Sequence, residues 1–201
     1  MATSLEQKII AKAVDFFMKY GVKSVSMDDI SSALGISKKT LYNSVDSKQE
    51  LLRAALMHHL DEQKSFINRA RAETNDAVEE MVTNSKFIIS ILRKHKPSLI
   101  YEVQKYYPDI WNLIQEFNNG FIHEFAFENV LRGQNEGHYR LDMDARIIAR
   151  LYVARISVLI DNELFPIEEF PRAELYEQFI THHMLGMMNP TGIQRFKKIE
   201  D

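Results

Sequence analysis

The sequence predicts an all-α protein, and three observations carry that prediction. Apolar residues recur at three- and four-residue spacing in one segment after another, the repeat of a helix that buries one face. Several of these segments open on a serine followed three residues later by Gln, Asp or Glu, a pairing that satisfies the free backbone donors of a helix start. Glycines and prolines fall where the periodic runs stop, and no stretch shows the apolar–polar alternation of a strand. About nine helices are expected.

The elements follow in order. Ser4 with Gln7 opens a first helix whose inner stripe is Leu5, Ile9, Ala13 and Phe17, widened by Ile10, Val14, Phe16 and Tyr20. Gly21 ends it. Ser26 with Asp29 opens a short helix that turns Met27, Ile30, Ala33 and Leu34 inward and stops at Gly35. Ser37 caps a third, with Leu41 and Val45 as its apolar members. Ser47 with Glu50 opens a fourth that runs to about Arg71, where Thr74-Asn75-Asp76 breaks it and caps a fifth through Ala77, Met81, Phe87, Ile88, Ile91 and Leu92. Pro97 starts a short helix and Pro108 a long one that exits between Gly133 and Gly137. Another is expected from about Asp142 to Leu164, and a last from about Pro171 to Met188, closed by Asn189-Pro190.

Composition narrows the function classes. In 201 residues, 45% are hydrophobic and 26% charged, which supports a packed core and excludes disorder as the main state. No uncharged apolar run reaches the length of a membrane span, so no membrane partner is expected. The charged opening MATSLEQKII shows no export signal, so a cytoplasmic location is expected. The absence of cysteine removes disulfides and thiolate metal sites together. The net charge of −3 divides unevenly. Residues 1–56 hold eight Lys and Arg against six acids, so a mildly basic head precedes an acidic body.

Two short helices joined by a Gly-containing turn and docked on a first helix make a helix-turn-helix. The second of the pair would lie in a DNA major groove with its leading residues toward the bases. Those residues are Lys38, Lys39 and Thr40. A Lys can donate to guanine, and a Thr can meet a thymine methyl. Tyr42 suits phosphate or a base face, Asn43 can bond adenine, and Ser26 and Ser37 head helices whose N-termini can hold phosphate.

The run from Val25 to Leu52 resembles the DNA-binding domain of the TetR family of bacterial transcription regulators. Ile30, the Leu34-Gly35-Ile36-Ser37 turn, Thr40-Leu41-Tyr42 and the Ser47-Lys48-x-Glu50-Leu51 opening carry the likeness, which is clear over residues 5–56. Lys48 is similar to the family's phosphate-contacting lysine. Ser31 replaces a common Ala, Ser44 an aromatic or His near the DNA backbone, and Val45 an anchoring Phe. The resemblance implies a DNA-binding domain at 1–56 and an effector-binding, dimerising domain at 57–201. It implies a repressor that binds a palindromic operator in double-stranded DNA as a homodimer and is released by a small apolar or aromatic effector.

In the body, Ile110, Ile114, Phe117, Phe121 and Phe125 form one stripe at helical spacing. Such a stripe reads equally as core. The resemblance implies an effector pocket among these helices, assigned to Tyr101, Gln104, Trp111, Phe117, Asn118, Phe121 and Phe125. The last two helices are apolar enough to be core or a dimer seam. The resemblance implies the seam, with Leu151, Tyr152, Ile156, Leu159, Tyr176, Phe179, Ile180, Met184 and Met187. No catalytic motif, metal-ligand spacing or cofactor loop occurs, so neither an enzyme nor a cofactor is expected. The rival reading, prompted by Ser44 and Val45, is an all-helical interaction module that has lost specific DNA reading.

Overall fold

The structure is a computed structural model and describes residues 4–96 and 98–200. It contains eleven α-helices and one π-helical turn: α1 Ser4–Tyr20, α2 Met27–Leu34, α3 Lys38–Tyr42, α4 Lys48–Glu73, α5 Ala77–Lys94, α6 Leu99–Tyr106, α7 Pro108–Phe117, the π turn Asn118–Ile122, α8 His123–Asn135, α9 Ala145–Leu159, α10 Arg172–Met187 and α11 Pro190–Glu200. Among the described residues there is no strand, only an isolated bridge between Tyr139 and Met188. The all-α class stands.

Of three expectations at element ends, two change. The start assigned to Pro97 lies outside the described residues. The helix expected to reach Leu164 ends at Leu159, because Asp161 and Asn162 capture the backbone themselves. The Asp161 carboxylate accepts from the N–H groups of Glu163 and Leu164 at 2.8 and 3.2 Å, and Asn162 accepts from that of Ile167 at 3.2 Å. Asn189-Pro190 starts a helix as well as ending one. Asn189 Oδ1 accepts from the N–H groups of Thr191 and Gly192, both at 3.0 Å, and a proline costs nothing at a first helical position.

The chain forms two compact units, Met1–Gln63 with Lys94–Ile114, and Lys64–Arg93 with Gln115–Asp201. Core of the first is Ile9, Ala13, Phe17, Ile30, Leu41, Leu51 and Leu52, joined by Leu99, Val103 and Ile110 from α6 and α7. A buried carboxylate ties this unit together. Glu102 accepts from the Lys23 backbone N–H and from Ser98 Oγ, each at 2.9 Å. Lys96 beside it donates through Nζ to the Tyr20 carbonyl at 3.0 Å.

The second unit packs Val78, Met81, Phe125, Val130, Tyr139, Tyr152, Phe179, Ile180 and Met184. Polar groups run through it as one connected network. Glu80, 1% exposed, meets the Arg132 guanidinium at 3.1 Å and the Asn129 amide at 3.1 Å. Arg132 also pairs with Glu136 at 2.7 Å, which in turn accepts from the Ala77 N–H at 2.8 Å. Tyr139, fully buried, places its hydroxyl 3.1 Å from both the Ala77 carbonyl and Asn129 Oδ1. Each of Glu80, Asn129, Arg132 and Tyr139 thus gains a partner, which buried polar groups require.

Candidate nucleic-acid interface

The α2–turn–α3 segment is held rigid by its own sequence. Asp29 N–H donates to Ser26 Oγ at 3.1 Å, while the Ser26 N–H donates to Asp29 Oδ2 at 2.7 Å, completing the capping box. The Ser26 hydroxyl, and after it the Ser26 N–H, holds the Asp29 carboxyl below its usual range. Gly35 sits at φ +64°, the left-handed conformation that lets the chain turn sharply, and the Ile36 N–H closes back on the Ser31 carbonyl at 3.0 Å. Ser37 then accepts from the Thr40 N–H at 3.0 Å to start α3. Leu41, with no exposed surface, pins α3 to the core, and Val45 packs half-buried beside it.

This arrangement leaves one side of α3 facing outward. Lys38, Lys39, Tyr42 and Asn43 are exposed, and Thr40 is half-buried. Lys38 reaches back across the turn to Asp28 at 2.9 Å, which raises its pKa through that bond. Among the described residues Lys39 makes no ion pair, which leaves its ammonium free for a polyanion. Ser44 is half-buried, and its hydroxyl donates to the Thr40 carbonyl at 3.4 Å. Lys48 lies at the start of α4 with a pKa lowered mainly by burial. Ser47 accepts from the Glu50 N–H at 3.1 Å beneath it. All eight DNA-contact candidates thus fall on one short stretch of the first unit. The Asp28 contact to Lys38 was not foreseen, because ten residues separate the pair.

The residues expected to line an effector pocket fall in different units. Tyr101, Gln104 and Trp111 belong to the first. Tyr101 is exposed and accepts from Lys105 Nζ at 2.7 Å, and Trp111 packs on the first unit's core with Ile114. Phe117, Asn118, Phe121 and Phe125 belong to the second, where Phe117 and Phe121 lie 5.4 Å apart and Lys64 stands over the Phe121 ring. The single stripe read in the sequence is therefore two. Ile110 and Ile114 serve one core and Phe117, Phe121 and Phe125 another, and the π turn breaks the 3.6-residue repeat within it.

The seam residues also divide. Tyr152, Tyr176, Phe179, Ile180, Met184 and Met187 are buried within this one chain, and the Tyr152 and Tyr176 hydroxyls meet at 3.2 Å. Ile156 and Leu159 are half-buried, and Leu151 is 45% exposed. Ile147 and Val158 extend Leu151 into an exposed apolar stripe along α9, with Leu185 exposed on α10. Among the described residues no group of three or more His, Asp or Glu is placed to hold a metal ion, and no helix is long and apolar enough to cross a membrane.

A capped helix, a glycine turn and a second capped helix with free cationic and amide side chains define a helix-turn-helix DNA-binding head. Residues 9–55, the helix-turn-helix head, match the model of the bacterial regulatory proteins, tetR family. An uncharacterized HTH-type transcriptional regulator of Bacillus subtilis (strain 168), YvaF, is 25% identical over 181 residues, covering 88% of this chain and 92% of that protein. The fold is shared with a transcriptional regulator of Cytophaga hutchinsonii at a TM-score of 0.77 and 16% identity, over 93% of this chain and 100% of that one. It is shared also with a TetR-family regulator of Agrobacterium tumefaciens at 0.71 and 16%, over 92% and 98%.

Proposed function

We propose that this chain is a ligand-responsive repressor. It binds a palindromic operator as a homodimer through residues 1–56, and a small apolar or aromatic effector held in residues 57–201 releases it. The observation that carries the DNA half is the outward face of α3, where Lys39 stands free beside Tyr42 and Asn43 on a helix anchored by Leu41. In this reading Lys39 and Asn43 meet base edges, while Ser26, Ser37, Lys48 and Tyr42 hold phosphates. Lys38, shared with Asp28, positions the turn. The firm seating of Leu41 and Val45 disfavours the rival module that has lost DNA reading.

Two observations support the rest. The α9 stripe of Ile147, Leu151 and Val158 suits a second copy of the chain, since a two-fold pairing buries the same stripe from both sides. In the second unit, buried Asn84 Oδ1 and His123 Nε2 have no partner among the described residues, and the Phe117–Phe121 pair is only half-buried. Unpartnered polar atoms and half-buried aromatic rings within one unit suit an effector with one or two hydrogen-bonding groups.

Mobility shift of DNA from upstream of the chain's own gene tests the reading. Specific binding that a lipophilic compound relieves is expected. Binding no tighter than to unrelated DNA overturns it.

A further inference from the structure

A cleft of about 190 Å³ opens in the second unit, lined by Met143, Ile148, Leu151 and Met187 with Arg155, His182 and His183. Every ionisable group on its wall is a base. The acids nearby in sequence are engaged elsewhere: Asp142 with Arg140 at 2.7 Å, Asp144 with Arg146 at 2.5 Å, and Glu177 with Arg93 at 3.6 Å. Arg155 is half-buried and makes no hydrogen bond or ion pair among the described residues. His183 is buried, its ring 5.1 Å from that of Tyr152 and 5.8 Å from that of Phe179. Burial, with Arg155 and His182 nearby, lowers its pKa to about 4. It therefore faces the cleft at neutral pH as an uncharged ring, and Arg155 is the fixed charge.

An unpaired guanidinium beside apolar walls asks for an anion with an apolar body. Its planar fork matches a carboxylate in a two-bond pairing, and one uncompensated charge matches a monoanion better than a phosphate. The cleft exceeds the roughly 150 Å³ that accepts benzene in an apolar cavity, which sets the body at about six to eight carbons.

We propose that this cleft binds a small amphipathic carboxylate through Arg155 and thereby tightens the association of two copies of the chain. The second half rests on the seam proposed above. Leu151 belongs both to the cleft and to the exposed α9 stripe, so a second copy laid on that stripe closes the cleft over Arg155. Enclosing a guanidinium without a counter-charge opposes association, and a bound carboxylate removes that penalty.

Calorimetric titration of the full chain with hexanoate and benzoate tests the site, with hexanamide, benzamide and inorganic phosphate as controls. Saturable binding of both acids is expected, weakened about tenfold or more in Arg155→Gln and less in Arg155→Lys, which keeps the charge but not the fork. Circular dichroism verifies that both variants fold. No saturable binding, equal binding of the amides, or full binding by Arg155→Gln overturns the site, and equal binding of phosphate reduces it to a general anion site. Sedimentation with and without hexanoate tests the coupling, and a shift toward dimer in the wild type alone is expected. A dimer that hexanoate leaves unchanged overturns the coupling. A chain monomeric in every condition overturns the seam reading, while the titration still decides the site.

Discussion

Acidification should destabilise the second unit through His183. The residue is 6% exposed between the Tyr152 and Phe179 rings, and its pKa falls from 6.5 to about 4, first through burial and then through Arg155 and His182. In the unfolded chain the ring titrates near its ordinary value. Between the two values the unfolded chain therefore binds a proton that the folded chain refuses. The stability contributed is complete above the unfolded pKa and is lost as pH falls toward the folded one. With those two values, linkage gives a loss of about 2 kcal/mol between pH 7 and pH 5, rising to about 3 kcal/mol by pH 4. For a chain of this size, 2 kcal/mol lowers the melting temperature by about 4–8 °C. His183→Phe keeps the aromatic packing and removes the titration. Urea denaturation followed by circular dichroism at pH 7 and pH 5 should show the wild type losing about 2 kcal/mol more than the variant. Equal losses in both proteins would refute the assignment of the acid sensitivity to this ring.

Other expectations follow from the same physics. Arg132→Met leaves the Glu80 carboxylate buried without its cation and should cost about 3–5 kcal/mol, read by the same denaturation; a loss below 1 kcal/mol would mean that water reaches Glu80. Leu41→Ala should cost about 2–5 kcal/mol by opening a cavity under α3, and should weaken DNA binding even below the melting point. Leu151→Asp lies at an exposed position, so the protein should stay folded while sedimentation shows the dimer lost; an unchanged dimer would move the seam off α9. Phe121→Ala should fold, bind DNA and lose its response to effector, and a full response in a thermal-shift panel would remove Phe121 from the pocket.

How legible each part was depends on how local its physics is. The head could be read because its instructions lie within four residues of where they act: Ser26 caps with Asp29, Gly35 turns the chain, and Ser37 caps α3. The buried network around Glu80 could not, since Asn129 and Arg132 lie about fifty residues away and no spacing announces them. The aromatic stripe misled for a related reason. Helical spacing says that Ile110 and Phe121 share a side only while the repeat continues, and the π turn at Asn118–Ile122 interrupts it. The C-terminal helices show a further limit. Apolar content marks Tyr176, Phe179 and Met184 for burial but does not say whether the same chain or a second copy buries them. Arg155 carried no signal at all, because what distinguishes it is the lack of a partner.

The central claim is that α3 reads DNA, and fluorescence anisotropy against salt tests it most directly. The titration uses labelled DNA from upstream of the gene, with the wild type, Lys48→Ala and Lys39→Ala. The wild type should bind this DNA at least about a thousandfold more tightly than a scrambled duplex at physiological salt. Lys48→Ala should weaken binding to both duplexes alike and flatten the salt dependence by about one phosphate contact. Lys39→Ala should instead narrow the gap between the two duplexes, by about 1–3 kcal/mol. Equal affinity of the wild type for both duplexes, with neither lysine changing it, would contradict the claim.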